Sequence, residues 1–367
     1  MQQRRIIALV ILALVANCTG RYTPGTVPER MGTLTKAPLS SASSAACTPL
    51  KSFPTFSYDA PSLAAVSQND AWTGGYDSSA HPIITHYLNG AVRTYTPTDA
   101  IVPYDPNILV ISDSDVWFFG NAEGSAFLMH WNGTTWTQIS DANAPDGTPV
   151  LLNAAAARGS NDIWFGGNNG HLVIEHWNGH VFKVVAVSPY ILNGNVADVL
   201  EFSQSDVWFL LPLLVAGGAQ IAVAHWDGTN LHFHVLSTPG RFALASQLAA
   251  TSPTDIWALG DSATPGAYDE TPQIWHFDGS WQPYAISTVP PNTAFSGIVA
   301  FRANDAVAVG ANVGEPLTYA RNSTSRWHQI TNDLPIEPLG KASLVPGTRT
   351  FWQVTGDGDH ATLVSCT

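Results

Sequence analysis

Helix-forming sequence is what this chain has least of. Past residue 16 no stretch keeps apolar residues at the helical period, methionine occurs 3 times in 367 residues, and charged residues make up 12%. Helical bundles and coiled coils are thereby excluded. Basic charge is scarce as well, with 15 Lys and Arg against 28 Asp and Glu and a formal net charge of −13. That balance excludes nucleic acid and an anionic lipid surface as partners, because both need a basic stripe to displace counterions. The chain has no Cys-x-x-Cys metal pair, no Gly-rich phosphate loop and no G-x-S-x-G nucleophile elbow. What it does have is 13 Trp, 30 Gly and 25 Pro, a mixture that suits short strands joined by many turns.

The N-terminus reads as an export segment. Arg4 and Arg5 precede an apolar run from Ile6 to Ala16, too short to span a bilayer. Val15-Ala16-Asn17-Cys18 resembles the lipobox of bacterial lipoproteins, with Asn17 as its departure. The resemblance implies a lipoprotein-type signal peptide over residues 1–18 and lipidation of Cys18. Residues 19–46, rich in Ser, Thr and Pro, cannot bury enough apolar surface to offset their ordering entropy and are expected to form a flexible tether. If Cys18 carries lipid, the remaining pair, Cys47 and Cys366, flanks the folded body and is expected to form a disulfide. The expected protein is extracellular, lipid-anchored at the cell surface or secreted. It would meet membrane only through its N-terminal anchor and act as a monomer.

An internal repeat decides the fold class. The unit S-x-x-D-[V/I/A]-W-x-x-G, followed by a variable stretch and then H-W-[N/D]-G, recurs at Asp70, Asp115, Asp162, Asp206, Asp255 and Asp305, 44 to 50 residues apart. A degenerate seventh copy surrounds Trp352. This period is the size of one four-stranded propeller blade, so residues 47–367 are expected to be all-β: a seven-bladed β-propeller with four-stranded antiparallel blades. The seventh unit ends after its third strand, and the segment before the first unit has no partner of its own. Ring closure by this N-terminal strand in the last blade resolves both. It also sets Cys47 beside Cys366, in place of the hairpin turn other blades have.

The repeated units resemble those of secreted bacterial propellers of the kelch, galactose-oxidase-central-domain and BNR types. That resemblance implies architecture and no particular reaction. The repeated histidines His86, His130, His176, His225 and His276 fall at one place in five different blades. They cannot converge on one metal ion, and are expected to hydrogen-bond within their own blades.

Strand order sorts the connections by face. The short S-x-x-D and Asn-Gly turns share one face, and the long, dissimilar loops share the other, where recognition is expected. Candidate ligand-binding residues there are Tyr76, Asp77, Tyr104, Asp105, Asn168, Asp261, Tyr268, Asp269 and Glu270. No cofactor is expected, with calcium possible at Asp357 and Asp359, and Asp261, Asp269 and Glu270 of the longest loop as another source of oxygens. The function expected is a binding module that recognises a glycan, peptide or protein. The alternative is an extracellular polysaccharide hydrolase or lyase using loop-face carboxylates.

Overall fold

The computed structural model describes residues 46–367 except 55–61, 78–80, 97–103, 123, 142–143, 193, 217, 237–241, 264–270, 285, 287–288, 323–325, 332–333, 335–337 and 357–359. These residues form seven four-stranded antiparallel sheets, and the chain is the seven-bladed propeller its repeats specify. Blade 3 shows the unit, with inner strand Leu151–Gly159, then Asp162–Asn168, His171–Trp177 and outer strand Phe182–Ile191, paired in that order. Inner strands must pack side by side around the axis, and Ala154, Ala155, Ala156 and Ala157 keep this one narrow. Second strands are the most buried, every residue of Asp115–Ala122 falling in the interior.

The strand Cys47–Pro54 completes blade 7 against His360–Cys366. Cys47 and Cys366 stand opposite each other in that register and are joined by a disulfide 319 residues apart in sequence. A covalent bond thus closes the ring where other blades use a turn.

The repeat motif acquires a physical meaning from its contacts. In each of blades 1 to 5 the histidine Nε2 on the third strand lies hydrogen-bonded to the motif aspartate: His86 to Asp70 at 2.9 Å, His130 to Asp115 at 2.9 Å, His176 to Asp162 at 2.8 Å, His225 to Asp206 at 2.8 Å and His276 to Asp255 at 2.7 Å. The motif tryptophan covers the imidazole, stacked 3.9 Å from His86 in blade 1 and 4.0 Å from His276 in blade 5. In blades 2 to 4 the Trp after the histidine serves the turn. Trp131, Trp177 and Trp226 donate Nε1–H to the carbonyls of Asp113, Ser160 and Gln204, the second residues of the S-x-x-D turns or their equivalents.

The motif Ser caps the backbone, as Ser203 Oγ accepts from Ser205 N–H at 3.2 Å, but the motif Asp is spent on histidine rather than on the turn. Only the blade 1 Asn-Gly turn has both residues at positive φ, Asn89 at 50° and Gly90 at 84°. In blades 2 to 4 the loop is wider, and the Asn or Asp side chain closes it. Asn178 Oδ1, for example, accepts from His180 and Val181 N–H at 3.0 Å each. Gly179 is required there twice over, by a φ of 91° and because a Cβ would stand 2.1 Å from Asn161 Oδ1.

The axis is crossed by polar side chains. Lys341, on the blade 7 inner strand Pro338–Leu344, reaches the blade 4 inner strand, donating to Asp198 Oδ1 at 2.8 Å and Ala197 O at 2.6 Å. Asp198 Oδ2 accepts from Leu248 N–H of blade 5 at 2.8 Å. Gln247 links three blades, accepting from Ile298 and Ala342 N–H and donating to Ala342 O. Inner strands from non-adjacent blades are therefore stapled together through the centre.

Candidate functional site

On the turn face five of the six motif aspartates also meet a group of the next blade, and the chemistry of that contact changes around the ring. Asp115 takes the Ser160 hydroxyl of blade 3; burial pushes its pKa up, but hydrogen bonds from His130, Ser160 and Trp117 hold the carboxyl below the usual range. Asp255 accepts from Asn304 N–H of blade 6 at 3.4 Å. Asp305, whose blade has lost its histidine, is paired with Arg302 and with Arg349 of blade 7, whose Nη2 stands 3.2 Å from Oδ1. Asp162 meets an acid, Glu201 of blade 4, whose carboxyl is pushed up to about 8 by burial first and then by Asp162. Both Glu201 oxygens are enclosed, so Glu201 cannot reach a substrate.

The loop face holds several of the expected residues. Tyr76 ends the second strand of blade 1, half-buried, and Asp77 Oδ1 is used within its own loop by His81 N–H at 2.9 Å. Asn168 donates to Asn153 Oδ1 and Asn195 Oδ1, both at 3.1 Å, and Asn169 donates to Thr148 Oγ1 at 2.9 Å. This amide cluster joins the loop ends of blades 3 and 4. Asp261 is buried, 4% exposed, with Phe295 N–H of blade 6 aimed at its Oδ1, a contact between blades. Tyr104 and Asp105 begin the inner strand of blade 2. Tyr268, Asp269, Glu270, Asp357, Asp359 and Cys18 lie outside the described residues. Asp141, in the connection from blade 2 to blade 3, is pushed up to about 6 by burial, with no charged neighbour contributing.

A cleft at the rim was not foreseen from the sequence. It lies between the outer strands of blades 3 and 4, has a volume of about 480 Å³, and is lined by Val187, Pro189, Tyr190, His232, Phe233 and His234 among others. The Tyr190 ring is 52% exposed and stands edge-on to Phe233 at 4.8 Å. His232 Nε2 is fixed on Asp227 Oδ2 at 2.8 Å. His234 is held below its usual range by burial and by the nearby His225 and His232, which favours the neutral ring. Exposed Val187, Ile191, Leu214 and Val235 extend the apolar surface around this wedge. The sequence carried one trace of it, the alternation Leu231-His232-Phe233-His234, which no other repeat shares.

Fold and site together define a seven-bladed propeller with regular turns and one irregular, partly apolar rim sector. No family model and no curated protein matches the sequence, so the kelch- and BNR-type resemblance rests on its motifs. Among solved structures the chain is similar to a polysaccharide lyase, an ulvan lyase bound to a glucuronate–sulfated rhamnose glycan, with a TM-score of 0.57 and 8% identity over 85% of this chain and 95% of that one. It is similar to U3-55K, with a TM-score of 0.57 and 8% identity over 87% and 98%, and to YCF48 from Cyanidioschyzon merolae, with a TM-score of 0.53 and 13% identity over 87% and 98%. Such low identities show a shared fold alone, and function has to be argued from this chain's own side chains.

Proposed function

We propose that this is an exported recognition module, surface-tethered or secreted, that binds a glycan where the loop ends of blades 3 and 4 meet the rim cleft. The cleft itself carries the reading. An exposed tyrosine ring backed by Phe233 offers a flat face to the C–H side of a sugar ring, and neutral His234 offers both a donor and an acceptor to its hydroxyls. The adjoining amide cluster, held together by Asn168, places the polar side chains of Asn169 and Asn195 beside it on the loop face. The hydrolase or lyase alternative has less support, because Asp141 and Glu201, the two acids raised furthest, do not line the cleft.

Glycan and polysaccharide arrays probed with the exported protein test the proposal, with Tyr190→Ala expected to weaken binding about tenfold or more. Product release from a bound polysaccharide would move the assignment to a lyase or hydrolase. A second reading, a protein partner, is favoured by exposed Val187, Ile191, Leu214 and Val235; glycan arrays without signal, beside a partner captured by wild type and lost in Leu214→Asp, would establish it. Anchorage has its own check. Cys18→Ala should shift the protein from the detergent phase to the medium, and unchanged partitioning would remove the lipid anchor.

A further inference from the structure

One junction of the ring brings a third metal-ligating side chain to an Asp–His pair. At the blade 1–blade 2 boundary, ligand atoms of Asp70, His86 and Asp113 all lie within 4.8 Å of one another. Asp70 is 6% exposed, His86 is half-buried under Trp72, and Asp113 is open to solvent. Asp113 is the second residue of the blade 2 turn, with its carbonyl fixed by Trp131 Nε1–H at 3.1 Å. The equivalent residue of blade 3 is Ser160, which donates its hydroxyl to Asp115. At the blade 5–6 and 6–7 boundaries the aspartate meets a backbone N–H and an arginine. Three junctions thus present a donor or a cation to the buried carboxylate, and a fourth sets the enclosed Glu201, whose protonated form burial favours, against Asp162; only here does an exposed second carboxylate converge with both the aspartate and the histidine among the described residues.

We propose that Asp70, His86 and Asp113 form a binding site for a divalent transition-metal cation, zinc in the first instance, which clamps blade 1 to blade 2. One imidazole with two carboxylates is a ligand set that zinc accepts, at metal–ligand distances of about 2.0–2.2 Å. Asp70 Oδ1 and His86 Nε2 are already 2.9 Å apart, close to the separation of two atoms sharing such an ion. Nε2 offers its lone pair to the metal and gives up to solvent any proton it shares with Asp70. Asp113 closes the third position from the neighbouring blade, and the outward side stays open to water. The positive charge that Arg349 brings to Asp305 at the blade 6–7 junction is here brought by the ion. At the other four Asp–His pairs no third ligand converges on both groups, Glu201 beside Asp162 being enclosed, and they serve as internal controls.

The test uses the full exported chain, stripped with chelator, and Asp113→Ser, which copies the residue of the next junction and preserves the fold. Wild type equilibrated with zinc and desalted should retain one zinc per chain by elemental analysis, melt a few degrees higher than the stripped protein, and give a visible absorption band with cobalt(II). Asp113→Ser should lose all three signals and melt as a folded protein without metal. Equal zinc retention by the variant, or no retention by wild type, would overturn the site. So would a wild-type melting temperature that responds to acid and not to zinc, which identifies a shared proton in place of the ion.

Discussion

The turn face and the rim between blades 3 and 4 use side chains in opposite ways. On the turn face the conspicuous residues are spent inside the protein: aspartate on histidine, histidine under tryptophan, the following tryptophan on a turn carbonyl. At the rim, Tyr190, Val187, Ile191 and Val235 face solvent, although burial of a Val or Ile side chain is ordinarily favourable by about 1.5–3 kcal/mol. A repeated residue in this molecule is therefore a construction residue, and chemistry available to a ligand is found where the repeat is broken.

The sharpest way to break that comparison is to attack the construction residues. Trp164, 3% exposed, packs on His176 and reaches Trp226 of the next blade, and Trp164→Ala should cost about 3–5 kcal/mol, read as a lower denaturant midpoint. Trp208→Ala should behave alike, since Trp208 contacts Phe277 and Trp281 of blade 5. A smaller loss, about 2–4 kcal/mol, is expected when Cys47 and Cys366 are both changed to Ala, and blade 7 should then exchange its amide hydrogens first.

Acidity gives a third, more graded test. Glu201 has a folded-state pKa raised from 4.5 to about 8, so its protonated form is the one the fold prefers. The stabilisation is complete below about pH 4.5 and is lost as pH rises through about 8. Melting temperature should therefore fall between pH 6 and 9, and Glu201→Gln should flatten that slope. An unchanged slope in the variant would show that Glu201 is not the group responsible. The smallest stability effect belongs to the rim, where Tyr190→Ala and His234→Ala should each change stability by under about 0.5 kcal/mol while weakening ligand binding. Rim variants that unfold like the tryptophan variants would erase the distinction between the two regions.

Much of the architecture was legible because each blade repeats the same local solution. The spacing of Asp70 through Asp305 fixed the blade size, and the truncated seventh copy placed Cys47 beside Cys366. The histidines were correctly read as internal to their blades, since identical positions related by rotation cannot converge. What escaped was nonlocal. Lys341 and Asp198 are 143 residues apart and meet only because the ring closes. Asp113 reads as an ordinary turn residue until blade adjacency sets it against Asp70. The rim cleft depends on how far the outer strand Phe182–Ile191 extends beyond its counterpart Leu231–Val235, a length that the pattern of either strand alone does not announce. Several loop-face residues, Asp261 above all, were chosen for their chemistry, whereas packing against the next blade decides whether that chemistry is accessible.

Joining Cys47 to Cys366 makes the folded body a covalent circle in which no blade is inherently first. Where the chain begins becomes a matter of genetic order and not of architecture. A circular permutant that links Thr367 to Ala46 through a short Gly-Ser bridge and opens between Leu236 and Phe242 should fold to the same ring, with blades 4 and 5 now terminal and blade 7 built from continuous chain.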